Sequence, residues 1–104
     1  MPQKIAVLGS TGSIGSQTLD IVSRYPDEFS VEILTAGNNI DLLTRQARQF
    51  QPDIVVIENR DHFPQLKDNL RDTHIKVYAG AQAIEQVIAS STADVVVAAI
   101  VGYS

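Results

Sequence analysis

The stretch Lys4-Ile5-Ala6-Val7-Leu8-Gly9-Ser10-Thr11-Gly12-Ser13-Ile14-Gly15 decides how the rest of the chain folds. An apolar run ends at Leu8, glycines follow at positions 9, 12 and 15, and Ile14, Leu19 and Val22 then supply the apolar face of a helix. A strand therefore turns directly into a helix. Gly9 lets the chain leave the strand sharply, Gly12 has no Cβ to keep a phosphate away from the backbone, and Gly15 lets the helix lie close on the first strand. The helix start offers unpaired N–H groups and the positive end of a dipole to an anion. The hydroxyls of Ser10, Thr11 and Ser13 add donors. The spacing is GxxGxxG rather than the commoner GxGxxG, so its weight comes from the strand before it and the helix after it. A glycine-rich turn that binds nothing has the same local spacing.

Outward from this turn the chain alternates. Apolar or β-branched runs stand at Lys4–Leu8, Val31–Ala36, Asp53–Glu58, Ile75–Tyr78 and Asp94–Ala99, with helical periodicity between them. The first helix begins near Gly12 and stops before Pro26. The second has Asn39 as N-cap, Ile40, Leu43, Ala47 and Phe50 as its stripe, and Pro52 beyond its end. Asp61 is the expected cap of the third, which carries Phe63, Leu66 and Leu70, with Pro64 in its first turn. Ile84, Val87 and Ile88 face the fourth toward a sheet, and Ser90-Ser91-Thr92 closes it. Ile54-Val55-Val56-Ile57 and Val95-Val96-Val97-Ala98-Ala99-Ile100 are almost unbroken in apolar character, as strands covered on both faces are. The fold class is therefore α/β, a doubly wound, Rossmann-like parallel sheet of five strands. The expected order is 3-2-1-4-5, with a ligand crevice at the carboxyl ends.

The end of the second strand bears on which dinucleotide fits. NAD-specific domains place an Asp or Glu ~20 residues beyond the glycine turn, on the ribose 2′-hydroxyl. This chain reads Ala36-Gly37-Asn38-Asn39 there, with no carboxylate in the tip, and Glu32 lies too early in the strand. Two amides at a helix start can donate to a 2′-phosphate, which favours NADPH. Arg45 and Arg48 lie further along the next helix. The plainer reading of Asn38 and Asn39 is turn and cap chemistry.

Composition narrows the classes further. The 104 residues suit one domain, and 44% hydrophobic with 19% charged residues argues against disorder. A net charge of −4 without a basic cluster argues against nucleic-acid and anionic-membrane partners. No cysteine is present, which removes disulfides, thiol catalysis and zinc–thiolate sites. His62 and His74 stand alone at helix margins, and Asp68 and Asp72 with Lys67 and Arg71 read as a solvated face. Asp20 carries no assigned role. No catalytic residue and no metal-binding cluster is identifiable.

The run Lys4–Gly15 followed by Thr18-Leu19-Asp20 resembles the N-terminus of the 1-deoxy-D-xylulose 5-phosphate reductoisomerase family. The likeness continues through Pro26 with Phe29, Leu34-Thr35-Ala36-Gly37-Asn38-Asn39, Gln46 with Phe50 and Pro52, and Val97-Ala98-Ala99-Ile100-Val101-Gly102. It covers almost all of this chain and only the opening part of a family member. The resemblance implies that residues 1–104 are an incomplete N-terminal NADPH-binding domain, with the catalytic and C-terminal domains absent. Thr11, Gly12, Ser13 and Ile14 would hold the pyrophosphate, and Gly37, Asn38 and Asn39 the 2′-phosphate end; many family members carry a lysine where this chain has Asn38. The family rearranges and reduces 1-deoxy-D-xylulose 5-phosphate to 2-C-methyl-D-erythritol 4-phosphate in non-mevalonate isoprenoid synthesis. It uses NADPH and a divalent cation, Mg²⁺ or Mn²⁺, on acidic residues of a later domain. By the same resemblance the enzyme is cytoplasmic, and a homodimer would form through a surface mostly outside this segment. Two rivals stay open: the cofactor domain of another GxxGxxG dehydrogenase, of the aspartate-semialdehyde type, and a nucleotide-binding module without catalysis.

Overall fold

The computed structural model describes residues 2–98. Strands β1 (Gln3–Leu8), β2 (Phe29–Ala36), β3 (Ile54–Ile57), β4 (Lys76–Ala79) and β5 (Val95–Ala98) alternate with helices α1 (Ser13–Ser23), α2 (Ile40–Phe50), α3 (Phe63–Asn69) and α4 (Ala81–Ala89). All strand pairs are parallel. The expected α/β sheet is present. The last strand is described to Ala98, and Ala99-Ile100-Val101-Gly102 of the expected run lie outside the described residues.

The strand order corrects the expectation. It is β4-β3-β2-β1-β5, not 3-2-1-4-5. Helices α1, α2 and α3 all pack on one face, where Leu19, Val22, Leu43, Ala47, Leu66 and Leu70 join Val7, Leu34, Val55 and Ile57 in the larger core. Parallel crossovers are right-handed, so three successive helices on one face carry the chain three steps in one direction. β4 therefore lands at the edge beyond β3. Its Lys76 and Tyr78 are exposed while Val77 and Ala79 are half-buried, the alternation of a strand with one open side. Only α4 crosses to the other face. There Val87, with Ile84 and Ile88 beside it, covers Ala6, Ile33 and Val56, and the chain returns to pair β5 with β1. The winding thus reverses between β1 and β5, so the glycine turn at the end of β1 stands at the switch point.

Local signals act as expected in most places. The Asn39 side chain accepts from the Leu42 amide at 3.1 Å, and α2 ends at Gln51, in the left-handed region, just before Pro52. The third helix differs: α3 itself has His62 at its N-cap without a side-chain cap bond, and the side-chain cap ahead of it is not Asp61 but Asn59. The Asn59 side chain accepts from the Asp61 amide and opens a 3-10 turn at Arg60–His62, and α3 starts only at Phe63. Ile14 also leaves the expected stripe, since α1 buries Gly15, Leu19 and Val22 and leaves Ile14 half exposed. Glu32 points away from the β2 tip, accepting from the Ser91 and Thr92 hydroxyls and so tying the α4–β5 loop to β2. On the surface, the Arg48 guanidinium donates to Asp72 at 2.6 Å and to the Asn69 carbonyl, and the hydrogen bond holds the Asp72 carboxyl below its ordinary range. Its stabilising effect is present above the ordinary aspartate pKa and is lost as the pH falls through the lowered one.

The apolar run of β5 is not core within the described residues: Val95 and Val96 are 36% and 47% exposed, whereas Val56 is fully buried. Val56→Thr, which places a hydroxyl in the core, is expected to cost ~1–3 kcal/mol. Val96→Thr is expected to stay within about 0.5 kcal/mol of the parent. Urea denaturation of both variants is the check, and equal losses would contradict an open β5 face.

Candidate functional site

The glycine turn is held from below by β2. The Gly9 amide donates to the Thr35 carbonyl and hydroxyl oxygens, both at 3.1 Å, and the Ser10 amide donates to the same carbonyl at 2.8 Å. Gly9 has φ of 79°, the left-handed backbone that favours glycine. Gly15 is needed for space. A Cβ there would run into the Gly9 carbonyl oxygen and lie 2.7 Å from Ser10 Cα. Gly12 differs from both. It is the N-cap of α1 in extended backbone, it is exposed, and a Cβ on it would meet nothing closer than the Gly9 carbonyl oxygen at 3.6 Å. The fold therefore tolerates a side chain at Gly12, and what a side chain would fill is open space over the turn.

The backbone donors of the turn divide in two. Gly12 donates to the Gly9 carbonyl at 3.2 Å. The N–H groups of Thr11, Ser13 and Ile14 donate to no acceptor among the described residues. Three open donors at the start of α1 are a ready anion seat. One hydroxyl expected there is not available. Ser10 is fully buried, its hydroxyl donates to Gln46 Oε1 at 2.8 Å, and Gln46 Nε2 donates back to the Ser10 carbonyl at 2.9 Å. Ser10 is thus part of a lock between the turn and α2. Gln46 carries no local signal for that role, because its partner lies 36 residues away.

The second cluster follows β2. Leu8 pairs with Thr35, so the glycine turn and the Gly37-Asn38-Asn39 tip leave neighbouring strands at the same end of the sheet. Both amide oxygens of the tip are occupied. Asn39 Oδ1 accepts from Leu42, and Asn38 Oδ1 accepts from Asn59 Nδ2 at 2.7 Å. Neither Nδ2 donates to another described residue, so both remain as donors on an exposed surface. The structure also adds a carboxylate that the tip's own sequence lacks. Ala36 pairs with Ile57, which sets Glu58 alongside Gly37, and Glu58 Oε1 is 3.8 Å from where a Gly37 Cβ would lie. That neighbour follows from strand register and could be found only once β2 and β3 were known to pair.

His62 and His74 enter no cluster, and among the described residues no three His, Cys, Asp or Glu side chains come together to hold a metal ion. No helix among them is long and apolar enough to cross a membrane.

A parallel sheet wound in both directions, with a glycine turn and open helix-start amides at its switch point, places the chain in the class of Rossmann-like dinucleotide-binding folds. The family model described as 1-deoxy-D-xylulose 5-phosphate reductoisomerase matches residues 5–104, and the chain belongs to that family. It is 53% identical over 104 residues to the 1-deoxy-D-xylulose 5-phosphate reductoisomerase of Porphyromonas gingivalis and 50% identical to that of Phocaeicola vulgatus. Each comparison takes in the whole of this chain and 27% of the relative, so the chain spans about a quarter of the length of the curated relatives it matches. Among solved structures, the reductoisomerase from Zymomonas mobilis in complex with NADPH superposes with a TM-score of 0.93 at 36% identity, over 98% of this chain and 27% of that one. A DOX-P reductoisomerase in complex with NADPH, fosmidomycin and magnesium superposes with a TM-score of 0.90 at 32% identity, over 96% and 25%.

Two glycine variants separate fold from site. Gly15→Ala is expected to destabilise by ~3 kcal/mol or more, because backbone rather than a side chain must yield. Gly12→Val is expected to melt within a few degrees of the parent while losing dinucleotide binding in calorimetry. Unchanged affinity in Gly12→Val would mean that Gly12 does not face the ligand.

Proposed function

We propose that residues 1–104 are the N-terminal NADPH-binding domain of a 1-deoxy-D-xylulose 5-phosphate reductoisomerase. That enzyme rearranges and reduces its sugar phosphate to 2-C-methyl-D-erythritol 4-phosphate for isoprenoid synthesis. The observation that carries the reading is the open space over Gly12, beside the undonated N–H groups of Thr11, Ser13 and Ile14. A Cβ would fill this cradle, and it suits a pyrophosphate. Gly37, Asn38 and Asn39 receive the adenosine end, where the two Nδ2 groups and the start of α2 meet a 2′-phosphate. NADPH supplies a hydride when bound; this chain's residues hold and orient it. We place the family's divalent cation on other parts of the enzyme; among the described residues no three His, Cys, Asp or Glu side chains come together to hold one. We further propose a cytoplasmic, homodimeric enzyme with small-molecule partners and no nucleic-acid partner.

The cofactor preference is a contest between near neighbours. The Asn38 and Asn39 donors favour a 2′-phosphate, and the Glu58 carboxylate beside Gly37 opposes it. Calorimetric titration is expected to show NADPH binding more tightly than NADH. Glu58→Gln should widen that preference, and Asn38→Asp should narrow or reverse it. Like charges ~4 Å apart at an effective dielectric near 20 repel by up to ~4 kcal/mol before screening. A parent chain that prefers NADH would overturn the assignment.

Hydride transfer also needs an electrophile held at ~3–3.5 Å in a fixed orientation. The 104 residues alone are therefore expected to consume no NADPH when supplied with Mg²⁺ and 1-deoxy-D-xylulose 5-phosphate. Metal-dependent loss of reduced-cofactor absorbance that follows the purified chain would require a catalytic site within it.

A further inference from the structure

We infer that Asn59 is the residue that sets the polarity of the 2′-phosphate site, by fixing which end of the Asn38 carboxamide faces the cofactor. The inference rests on the cofactor reading above and adds a residue to it.

The Asp61 backbone N–H can only donate, and it lies 3.0 Å from the Asn59 side-chain oxygen. That contact fixes the Asn59 carboxamide with its oxygen toward the 3-10 turn and its NH2 on the opposite side. The NH2 then needs an acceptor, and it meets Asn38 at 2.7 Å, so the Asn38 atom facing it is Oδ1. The Asn38 NH2 is thereby turned away from Asn59. A backbone clamp keeps the two residues in register, since the Asn59 amide donates to the Gly37 carbonyl at 3.0 Å. One backbone donor thus propagates its direction through two carboxamides to the exposed tip of β2. An isolated asparagine there would present oxygen or nitrogen equally well. Oxygen would repel a phosphate, and nitrogen donates to it. The cation that follows does not take over this role: the Arg60 guanidinium lies against Gly80, with Nε 2.6 Å from where a Cβ of Gly80 would be.

Asn59→Asp tests the inference with little change to the fold, because an aspartate still accepts from the Asp61 amide and caps equally well. Its second oxygen must accept from Asn38, which turns the Asn38 carbonyl outward. The ratio of NADPH to NADH affinity, measured by calorimetry on the whole chain, is expected to fall by about ten- to a hundredfold, the scale of one hydrogen bond to a charged group. The melting temperature should hold. The new charge would also act directly on the phosphate, so the substitution is repeated in an Asn38→Ala background. If the introduced carboxylate acts through Asn38, most of the fall disappears there; if it acts by charge alone, the fall persists and the inference is overturned. A second readout is the Asn38 side-chain NH2 resonance, which should shift with NADPH and not with NADH in the parent, and lose that selectivity in Asn59→Asp. A parent chain with no preference for NADPH would sink the cofactor reading itself. A parent that prefers NADPH, with a ratio unmoved by Asn59→Asp, would sink only the role of Asn59.

Discussion

Gly15 lies so close on Gly9 and Ser10 that no side chain fits between them, and the arrangement of the candidate site depends on that contact. It brings the first turn of α1 down onto the end of β1. With the helix seated there, its opening amides stand over the carboxyl end of the sheet. The position is then secured from two sides: Thr35 of β2 receives the Gly9 and Ser10 amides, and Gln46 of α2 closes a two-way hydrogen bond with Ser10. Both supports are buried, and a buried polar group left without a partner costs ~1–3 kcal/mol. The turn is therefore set by the fold before any ligand arrives. Preorganisation of this kind lowers the ordering cost of binding.

The same supports connect the two halves of the site. Gln46 sits on the helix that Asn39 caps, and Thr35 sits on the strand that ends at Gly37-Asn38. A displacement of α2 would disturb the buried Ser10 and the amides of the β2 tip together. The glycine turn and the β2 tip are thus two faces of one packed unit of β1, α1, β2 and α2, and the later elements complete the sheet around it. Asn59 extends the unit to β3, because its backbone amide reaches Gly37 and its side chain reaches Asn38.

What was legible in the sequence were the features governed by neighbours in the chain. Glycine spacing, the Asn39 cap, the proline stops and the apolar runs placed five strands and four helices, and they marked both tips. What escaped were contacts whose partners come from elsewhere in the chain. Ser10 reads as a phosphate donor until Gln46 is known to lie against it. The β2 tip reads as free of carboxylates until the register with β3 brings Glu58 beside it. The strand order was missed because local patterns do not say which face a helix covers. Even so, β4 carried a clue in the exposed Lys76 and Tyr78, which suit an edge better than the centre of a sheet. The apolar continuity of β5 misleads in the other direction. It reads as a strand covered on both faces, yet Val95 and Val96 are open among the described residues.

On the proposed reading this acidic chain receives a polyanion, for which it needs local donors strong enough to outweigh its own field. With a net charge of −4, long-range electrostatics do not draw a nucleotide phosphate toward this protein. The donors at both tips are neutral: backbone N–H groups over Gly12 and carboxamides at Asn38 and Asn39. Neutral donors are effective only when their dipoles are aimed, since a misdirected amide presents its oxygen. A lysine at the Asn38 position would attract a phosphate from any orientation, whereas an asparagine must be held. The buried lock at Ser10 and the oriented pair at Asn38 and Asn59 are consequences of the same choice, in which rigid placement of weak dipoles stands where a mobile charge would otherwise serve.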